Sequence, residues 1–218
     1  MNTKLSKSEK QLAVISLVFL ASFLLLTFLR GFLSAIDVSV YSWVQTLWTS
    51  PFAFVAEGIA FVFDFTSLLV ITVFIAAILF FKNHRPESLL LLGAMGGDAL
   101  IVLVAKGIIQ LPRPLDALIA DSGFSFPSGH TAGSLVFFGT LAFLAWQHLK
   151  STRAKASVGF GVVFTVSLIG FSRLYLGVHW FSDVLGAAFL GVFWLSFVIL
   201  VFKILQDNGK FKSAWLSS

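Results

Sequence analysis

The sequence predicts an all-α, polytopic membrane protein that forms one bundle of six transmembrane helices with short interfacial helices. Hydrophobic residues make up 58% of the chain and charged residues only 11%, whereas about a quarter of a soluble domain is charged. Apolar runs recur, each close to the roughly 20 residues that a spanning helix needs. Basic residues cluster in alternate connections between these runs, as expected of a chain that crosses the membrane repeatedly.

Charge and cysteine content narrow the possible functions. The formal net charge of +5 is explained by membrane topology, and we expect no nucleic-acid partner. The chain has no cysteine, which excludes disulfides, iron–sulfur clusters and thiolate chemistry. Without a linker or low-complexity segment, residues 1–218 are expected to form a single domain, with no obligate protein partner.

The first apolar run covers about residues 12–29, after a basic N-terminal stretch. This pattern also describes a signal peptide, but the run is long for one and no clean cleavage site follows Arg30. We therefore expect a retained first helix. Residues 31–55 mix Trp, Tyr, Pro and Asp with apolar residues, which favours short helices at headgroup depth.

Five further spans are expected. The second ends at Phe81, but Asp64 leaves its start open between Phe54 and Thr66. The remaining four cover about residues 88–109, 130–146, 158–171 and 182–205.

Six spans put both termini on one side and most of the basic residues with them. Eleven of the fifteen lie on that side: Lys4, Lys7, Lys10, Lys82, Arg85, Lys150, Arg153, Lys155, Lys203, Lys210 and Lys212. The positive-inside rule makes this side cytoplasmic, in a plasma membrane. The other side receives Arg30, Lys106, Arg113 and Arg173.

The stretch 172–183, between the last two spans, carries the most chemistry. His179 and Asp183 are four residues apart, so on a helix they share a face and the carboxylate reaches one ring nitrogen. The other ring nitrogen is then unprotonated and available as a nucleophile. Arg173 lies upstream across a break at Gly177 and is expected to fold back as an anion clamp.

Two more segments reach the same outer face because successive helices alternate in direction. Lys106 lies at the end of the third span and Arg113 follows it, and together with Arg173 they suit a tetrahedral dianion. Ser128 offers a hydroxyl donor, and Gly129 permits close backbone approach at a helix N-terminus, where amides attract anions. His130 at that position is suited to protonate a leaving oxygen.

These residues follow a recognisable pattern. Residues 106–114 have the form K-x6-R-P, residues 127–130 are P-S-G-H, and residues 172–183 are S-R-x5-H-x3-D. Together they resemble the three-part signature of the type 2 phosphatidic acid phosphatase (PAP2) superfamily, also called lipid phosphate phosphatases. All fixed positions are present in order, and the expected six-helix layout extends the resemblance over most of the chain.

The resemblance implies hydrolysis of a phosphate ester or anhydride without a metal or cofactor. It makes His179 the nucleophile that forms a phosphohistidine, with Asp183 holding its ring and His130 protonating the leaving group. The implied phosphate-binding groups are Lys106, Arg113, Arg173, Ser128 and the Gly129 amide. The residues themselves support the choice of nucleophile, since His179 has an acid four residues on and His130 does not.

A site at the outer membrane surface suits a lipid phosphate or diphosphate whose tail stays in the bilayer. Polyprenyl (undecaprenyl-type) diphosphate is the first expectation, followed by phosphatidylglycerol phosphate and phosphatidic acid. The alternatives are a lipid-to-lipid phosphotransferase and a non-enzymatic lipid or anion transporter that uses the basic cluster for binding alone.

Four acids have no fixed role in the sequence. Asp98 lies eight residues before Lys106, roughly 12 Å deeper in a helix, and a hydrogen bond to a neighbouring helix is favoured for it over a functional role. Asp64, Asp116 and Asp121 fall near the outer face, where they could tune the choice of headgroup.

Overall fold

A computed structural model describes residues 5–209 and contains seven α-helices within that range. They are α1 (Lys7–Gln45), α2 (Ser50–Val62), α3 (Phe65–Phe81), α4 (Arg85–Ile109), α5 (Gly129–Trp146), α6 (Thr152–Tyr175) and α7 (Phe181–Asp207). The all-helical prediction is confirmed. Three of the eleven basic residues assigned to one side lie outside the described residues: Lys4, Lys210 and Lys212.

Among the described residues, five helices are long and apolar enough to span a membrane by themselves: α1, α4, α5, α6 and α7. Helices α2 and α3 pass the same test together, with a bend of 42° between them, and counting this pair as one broken span gives six. Asp64 lies at the bend and caps α3 by accepting a hydrogen bond from the Thr66 amide at 2.9 Å. The uncertain start of the second span therefore corresponds to a real break in the helix.

The first helix is longer than expected. A capping box starts it, in which the Glu9 amide donates to Ser6 Oγ at 3.3 Å and the Ser6 amide donates to Glu9 Oε2 at 2.6 Å. It then continues without a break to Gln45, so the separate interfacial helix predicted from residue 31 onwards is wrong for residues 31–45. No proline interrupts this stretch, and the buried Asp37 side chain binds Ser182 of α7.

Helices α1 and α7 pack antiparallel over most of their length. Near one end of the bundle, Lys203 Nζ lies 3.5 Å from Ser8 Oγ. Near the middle, Ser16 Oγ donates to the Phe193 carbonyl at 3.3 Å. This pairing brings the second half of α1 beside the start of α7, where the chemistry predicted from the sequence is concentrated.

Four helix ends meet at that end of the bundle: the C-termini of α4 and α6 and the N-termini of α5 and α7. The segment 110–128 joins α4 to α5, and the turn 176–180 joins α6 to α7. The two connections are bonded to each other, since the Leu118 amide donates to the Leu176 carbonyl at 2.9 Å and Trp180 Nε1 donates to the Pro112 carbonyl at 3.0 Å. They form the framework of the site.

Candidate active site

The turn before His179 depends on a glycine. Gly177 has a φ of +72°, a conformation that costs a residue with a Cβ atom about 1 kcal/mol or more. A Cβ atom at this position would also lie 3.2 Å from the Ala117 Cα atom. The predicted break at Gly177 is therefore real, and it returns the chain from α6 to the start of α7.

His179 and Asp183 form the expected pair, although not on one helix. His179 precedes α7, and Asp183 lies in its first turn. His179 Nδ1 is 3.2 Å from Asp183 Oδ2, which also accepts a hydrogen bond from the Trp180 amide at 2.8 Å. The carboxylate thus caps the helix and orients the imidazole at the same time.

This pairing fixes the chemical state of His179. Donation from Nδ1–H to the carboxylate leaves a lone pair on Nε2. Burial lowers the pKa of His179 well below its usual range, and three cations lower it further: Arg113, Arg173 and Lys106. The lowered pKa favours the neutral ring, in which Nε2 can accept a hydrogen bond.

Arg113 reaches that nitrogen from the segment 110–128. Its Nη1 lies 3.3 Å from His179 Nε2 and donates to the Val178 carbonyl at 2.8 Å. On its other side, Nε and Nη2 donate to the Gly123 and Ser122 carbonyls at 3.1 and 3.0 Å. The guanidinium is held on both sides in contact with the lone pair of His179.

Arg173, in the last turn of α6, is buried and lies beside Arg113. Asp121 joins the two, because its Oδ2 is 2.6 Å from Arg173 Nη2 and 3.1 Å from Arg113 Nη1. Lys106, in the last turn of α4, donates to the Phe124 carbonyl and, at 3.3 Å, to the Ser125 carbonyl. The three predicted cations therefore all contact the segment 121–125.

The P-S-G-H segment lies at the start of α5. The Ser128 amide donates to the Asp183 carbonyl at 3.2 Å, which ties α5 to α7, and Ser128 Oγ accepts from Thr131 Oγ1 at 3.1 Å. A Cβ atom on Gly129 would meet Val102 Cγ1 at 3.9 Å, an ordinary contact. Packing of the protein therefore does not require a glycine at this position.

His130 has a carboxylate partner that the sequence did not indicate. Its Nε2 lies 3.5 Å from Asp64 Oδ1, at the bend between α2 and α3. It also lies within electrostatic range of Arg173 and Asp121. The site thus contains two histidines, each with its own acid, from three different parts of the chain.

Helix α1 adds two further residues beneath the site. Arg30 Nη2 is 3.6 Å from Asp183 Oδ1, and its guanidinium stacks over the Phe126 ring at 4.4 Å. Asp37 accepts from both the amide and the hydroxyl of Ser182, at 2.8 and 2.7 Å. The sequence analysis placed Arg30 on the outer side as a basic residue that is not part of the signature. It did not predict the contact of Arg30 with Asp183.

Asp98 lies deep in the bundle, away from these contacts. It is almost completely buried in α4, and a Cβ atom on Gly133 of α5 would come within 3.6 Å of its Oδ2. Neither of its carboxylate oxygens has a hydrogen-bond partner, so the hydrogen bond to a neighbouring helix that the sequence favoured is wrong.

Within residues 5–209, no group of three or more His, Asp or Glu side chains is arranged to hold a metal ion. The cluster has the charges of an anion site: three cations on the segment 121–125, two histidines and the N-terminus of α5.

The family is shown by a family model whose match includes all the signature residues between 106 and 183. A family model described as the PAP2 superfamily matches residues 87–207, more than half of the chain. The chain belongs to the PAP2 superfamily. It is therefore a metal-independent membrane phosphatase that acts on lipid phosphates.

Individual PAP2 relatives support this membership. Phosphatidylglycerophosphatase B of Bacillus subtilis (strain 168) is 35% identical over 140 residues, which cover 63% of this chain and 69% of the relative. The putative undecaprenyl-diphosphatase YbjG of Escherichia coli (strain K12) is 41% identical over 68 residues, or 31% of this chain and 30% of the relative.

Two solved structures share the fold. The transmembrane PAP2-type phosphatidylglycerolphosphate phosphatase from Bacillus subtilis superposes with a TM-score of 0.79 at 27% identity, covering 91% of this chain and 98% of that one. Aquifex aeolicus LpxE superposes with a TM-score of 0.58 at 22% identity over 75% of this chain and 94% of its own, and so supports the fold alone. The prediction of a six-span PAP2 bundle is confirmed.

Proposed function

We propose that this PAP2 protein hydrolyses the phosphate or diphosphate of a membrane lipid through a phosphohistidine on His179. The observation that carries the proposal is the geometry of that imidazole. Asp183 binds its Nδ1 at 3.2 Å, and its Nε2 lies 3.3 Å from the guanidinium of Arg113. A phosphate bound by Arg113 would have its phosphorus next to the lone pair of a neutral, oriented ring.

The reaction would proceed in two steps. In the first, His179 Nε2 attacks phosphorus, the bond to the lipid oxygen breaks, and His130 donates a proton to that oxygen. In the second, water attacks the phosphohistidine, His130 takes its proton, and the P–N bond breaks to release inorganic phosphate. The contact of His130 with Asp64 at 3.5 Å supports this role, because it orients the ring.

Positive charge and backbone amides would bind the phosphoryl group. Phosphoryl transfer needs positioning and cations more than additional covalent chemistry. The glycine at 129 supports close approach of a phosphate oxygen to its amide, since an added Cβ atom would meet only Val102 Cγ1 among protein atoms, at 3.9 Å. The proposed phosphate-binding groups are Lys106, Arg113, Arg173, Ser128 and the Gly129 amide.

Phosphatidylglycerol phosphate is the first substrate that we propose, and polyprenyl diphosphate the second. The sequence alone favoured the reverse order. Two comparisons that each cover more than 60% of this chain are with proteins named for phosphatidylglycerol phosphate. The match to a putative undecaprenyl-diphosphatase covers 31% of it, and the likeness to LpxE, at 22% identity, bears on the fold alone.

We also propose that the termini are cytoplasmic and that the site faces the outside of the plasma membrane. In support, Arg30, Lys106, Arg113 and Arg173 gather at one end of the bundle, while Lys203 lies beside Ser8 at the other. The natural chain has no cysteine, so single cysteines can report on sidedness. In intact cells, Leu115→Cys, at a residue 96% exposed beside the site, should react with a membrane-impermeant thiol reagent, and Lys150→Cys should not.

The decisive experiment measures phosphate release from a panel of lipid phosphates in detergent, with and without EDTA. We expect EDTA to have no effect and His179→Ala to lower the rate by about a thousandfold or more. His148→Ala, the same change at an exposed residue beyond the far end of α5, is the matched control and should behave like wild type. Full activity in His179→Ala would exclude the phosphohistidine.

The rival functions give different results in the same assay. A phosphotransferase would release little phosphate until an acceptor lipid is added. A transporter would release none from any lipid in the panel, and its lipid binding would survive the loss of His179.

A further inference from the structure

Asp121 occupies the point where the two site arginines converge. Its Oδ2 lies 2.6 Å from Arg173 Nη2 and 3.1 Å from Arg113 Nη1. Carboxylate and phosphate oxygens are equivalent acceptors for a guanidinium group. A phosphate oxygen that binds both arginines at once would need the position that Asp121 Oδ2 holds.

Arg113 Nη1 has fewer N–H groups than there are acceptors around it. Nη1 carries two N–H groups, yet three acceptors lie within 3.3 Å of it: the Val178 carbonyl, His179 Nε2 and Asp121 Oδ2. The first two are fixed by the turn before α7. Asp121 is the acceptor that a phosphate oxygen would replace without displacing the turn before α7.

Asp121 has room to leave while its backbone stays in place. The carbonyls of the next two residues, Ser122 and Gly123, accept hydrogen bonds from Arg113 at 3.0 and 3.1 Å, so the main chain remains anchored. The side chain of Asp121 is 24% exposed, against 3% for Arg173. Rotation of the carboxylate towards water would therefore suffice to free the arginines.

We propose that Asp121 competes with phosphate for Arg113 and Arg173 and thereby determines how tightly the enzyme holds inorganic phosphate. The inference rests on the proposed function, because it takes both arginines as phosphate-binding residues. During turnover the lipid phosphate displaces the carboxylate. When inorganic phosphate leaves, Asp121 returns, so the buried guanidinium of Arg173 regains a carboxylate acceptor.

The direction in which anion affinity changes when Asp121 loses its charge distinguishes a competitor from a residue that only positions the arginines. If Asp121 is a competitor, removal of its charge increases the affinity for anions, because the apparent affinity no longer includes the cost of displacing it. If Asp121 merely positions the arginines, its removal loosens them and weakens anion binding. Asp116, an exposed acid in the same connection, provides a control for the general effect of one negative charge.

The test compares inhibition of lipid phosphate hydrolysis by inorganic phosphate and by orthovanadate in the full-length protein. Asp121→Asn, which keeps the shape of the side chain, should lower both inhibition constants about tenfold or more, as expected when a charge-assisted contact no longer competes. Asp116→Asn should leave both within twofold of wild type. Asp121→Ser should repeat the effect of Asp121→Asn.

Unchanged or higher inhibition constants in Asp121→Asn and Asp121→Ser would overturn the proposal. Loss of the folded protein in both variants, measured by thermal melting, would overturn it as well, because it would make Asp121 a structural requirement. An equal change in Asp116→Asn would also overturn it, because the effect would then come from the loss of any negative charge and not from competition for the arginines. If wild type hydrolyses no lipid phosphate and neither anion binds, the proposed function itself has failed.

Discussion

Replacing Arg30 by methionine tests whether α1 contributes to catalysis from beneath the site. Asp183 has 0% side-chain exposure, and Arg30 lies 3.6 Å from its Oδ1. At an effective dielectric constant of about 20, two unit charges at this distance attract by roughly 5 kcal/mol. The desolvation of Arg30 offsets part of this attraction, and part of the remainder contributes to folding.

We therefore expect a loss of about 2 kcal/mol in transition-state stabilisation, or about thirtyfold in kcat. KM should stay near the wild-type value, because Arg30 contacts Asp183 and Phe126 and is not one of the proposed phosphate-binding groups. The measurement is the rate of phosphate release as a function of lipid concentration, combined with thermal melting. Methionine preserves most of the volume of the side chain.

Arg30→Lys is the matched control, because it keeps the charge near Asp183 and should retain most of the activity. Phe126→Leu removes the ring beneath the guanidinium and leaves the charge in place. A folded Arg30→Met protein with kcat within twofold of wild type would refute the reasoning, since the His179–Asp183 pair would then need no support from α1. An effect on KM alone would refute it equally.

Three further predictions concern the turn, the phosphate-binding amide and pH. Gly177→Ala should destabilise the protein by about 1–2 kcal/mol in thermal or denaturant unfolding, because of its positive φ and the Ala117 backbone; Gly161→Ala, with no atom within 4 Å of the added carbon, should not. Gly129→Ala should leave the melting temperature nearly unchanged, since its added carbon makes an ordinary contact, but lower activity at least tenfold if a phosphate approaches the amide; full activity would remove Gly129 from the site. Burial and nearby cations lower the pKa of His179, so protonation of its imidazole should not lower kcat/KM as the pH falls from 7 to 6. A decrease in kcat/KM with an apparent pKa at or above the ordinary histidine value of about 6.5 would contradict this. The same shift means that the unfolded chain binds a proton that the folded protein does not, so His179 makes stability fall as the pH is lowered from 7.5 to 5.5, and the fall should be smaller in His179→Asn.

The family signature was predictable because it depends on residue types at fixed spacing. His179 with Asp183, the three cations and the P-S-G-H segment are all short-range patterns, and alternation of helix direction was enough to bring them to one end. The detail of the His179–Asp183 contact was not predictable. It forms around the first turn of α7 and not along a helix face, because α7 begins only at Phe181, two residues after His179.

The partners of the signature residues come from distant parts of the chain. Asp64 reaches His130 because the second span bends by 42° at that residue. Arg30 reaches Asp183 because α1 packs antiparallel against α7, which places the second half of α1 beside the start of α7. No spacing rule relates residues that are separated by 66 or 153 positions, so these contacts could be found only in three dimensions.

The amino-acid sequence by itself determined that this chain spans a membrane several times, which basic residues share an end, and which histidine has a local acid. Composition and periodicity suffice for these features because each depends on a few neighbouring residues and on the bilayer as solvent. Only the tertiary structure showed that Asp64 contacts His130, that Arg30 contacts Asp183 and that Asp121 lies between Arg113 and Arg173. These depend on how the helices and the segment 110–128 pack, where a shift of a few ångströms separates a contact from none.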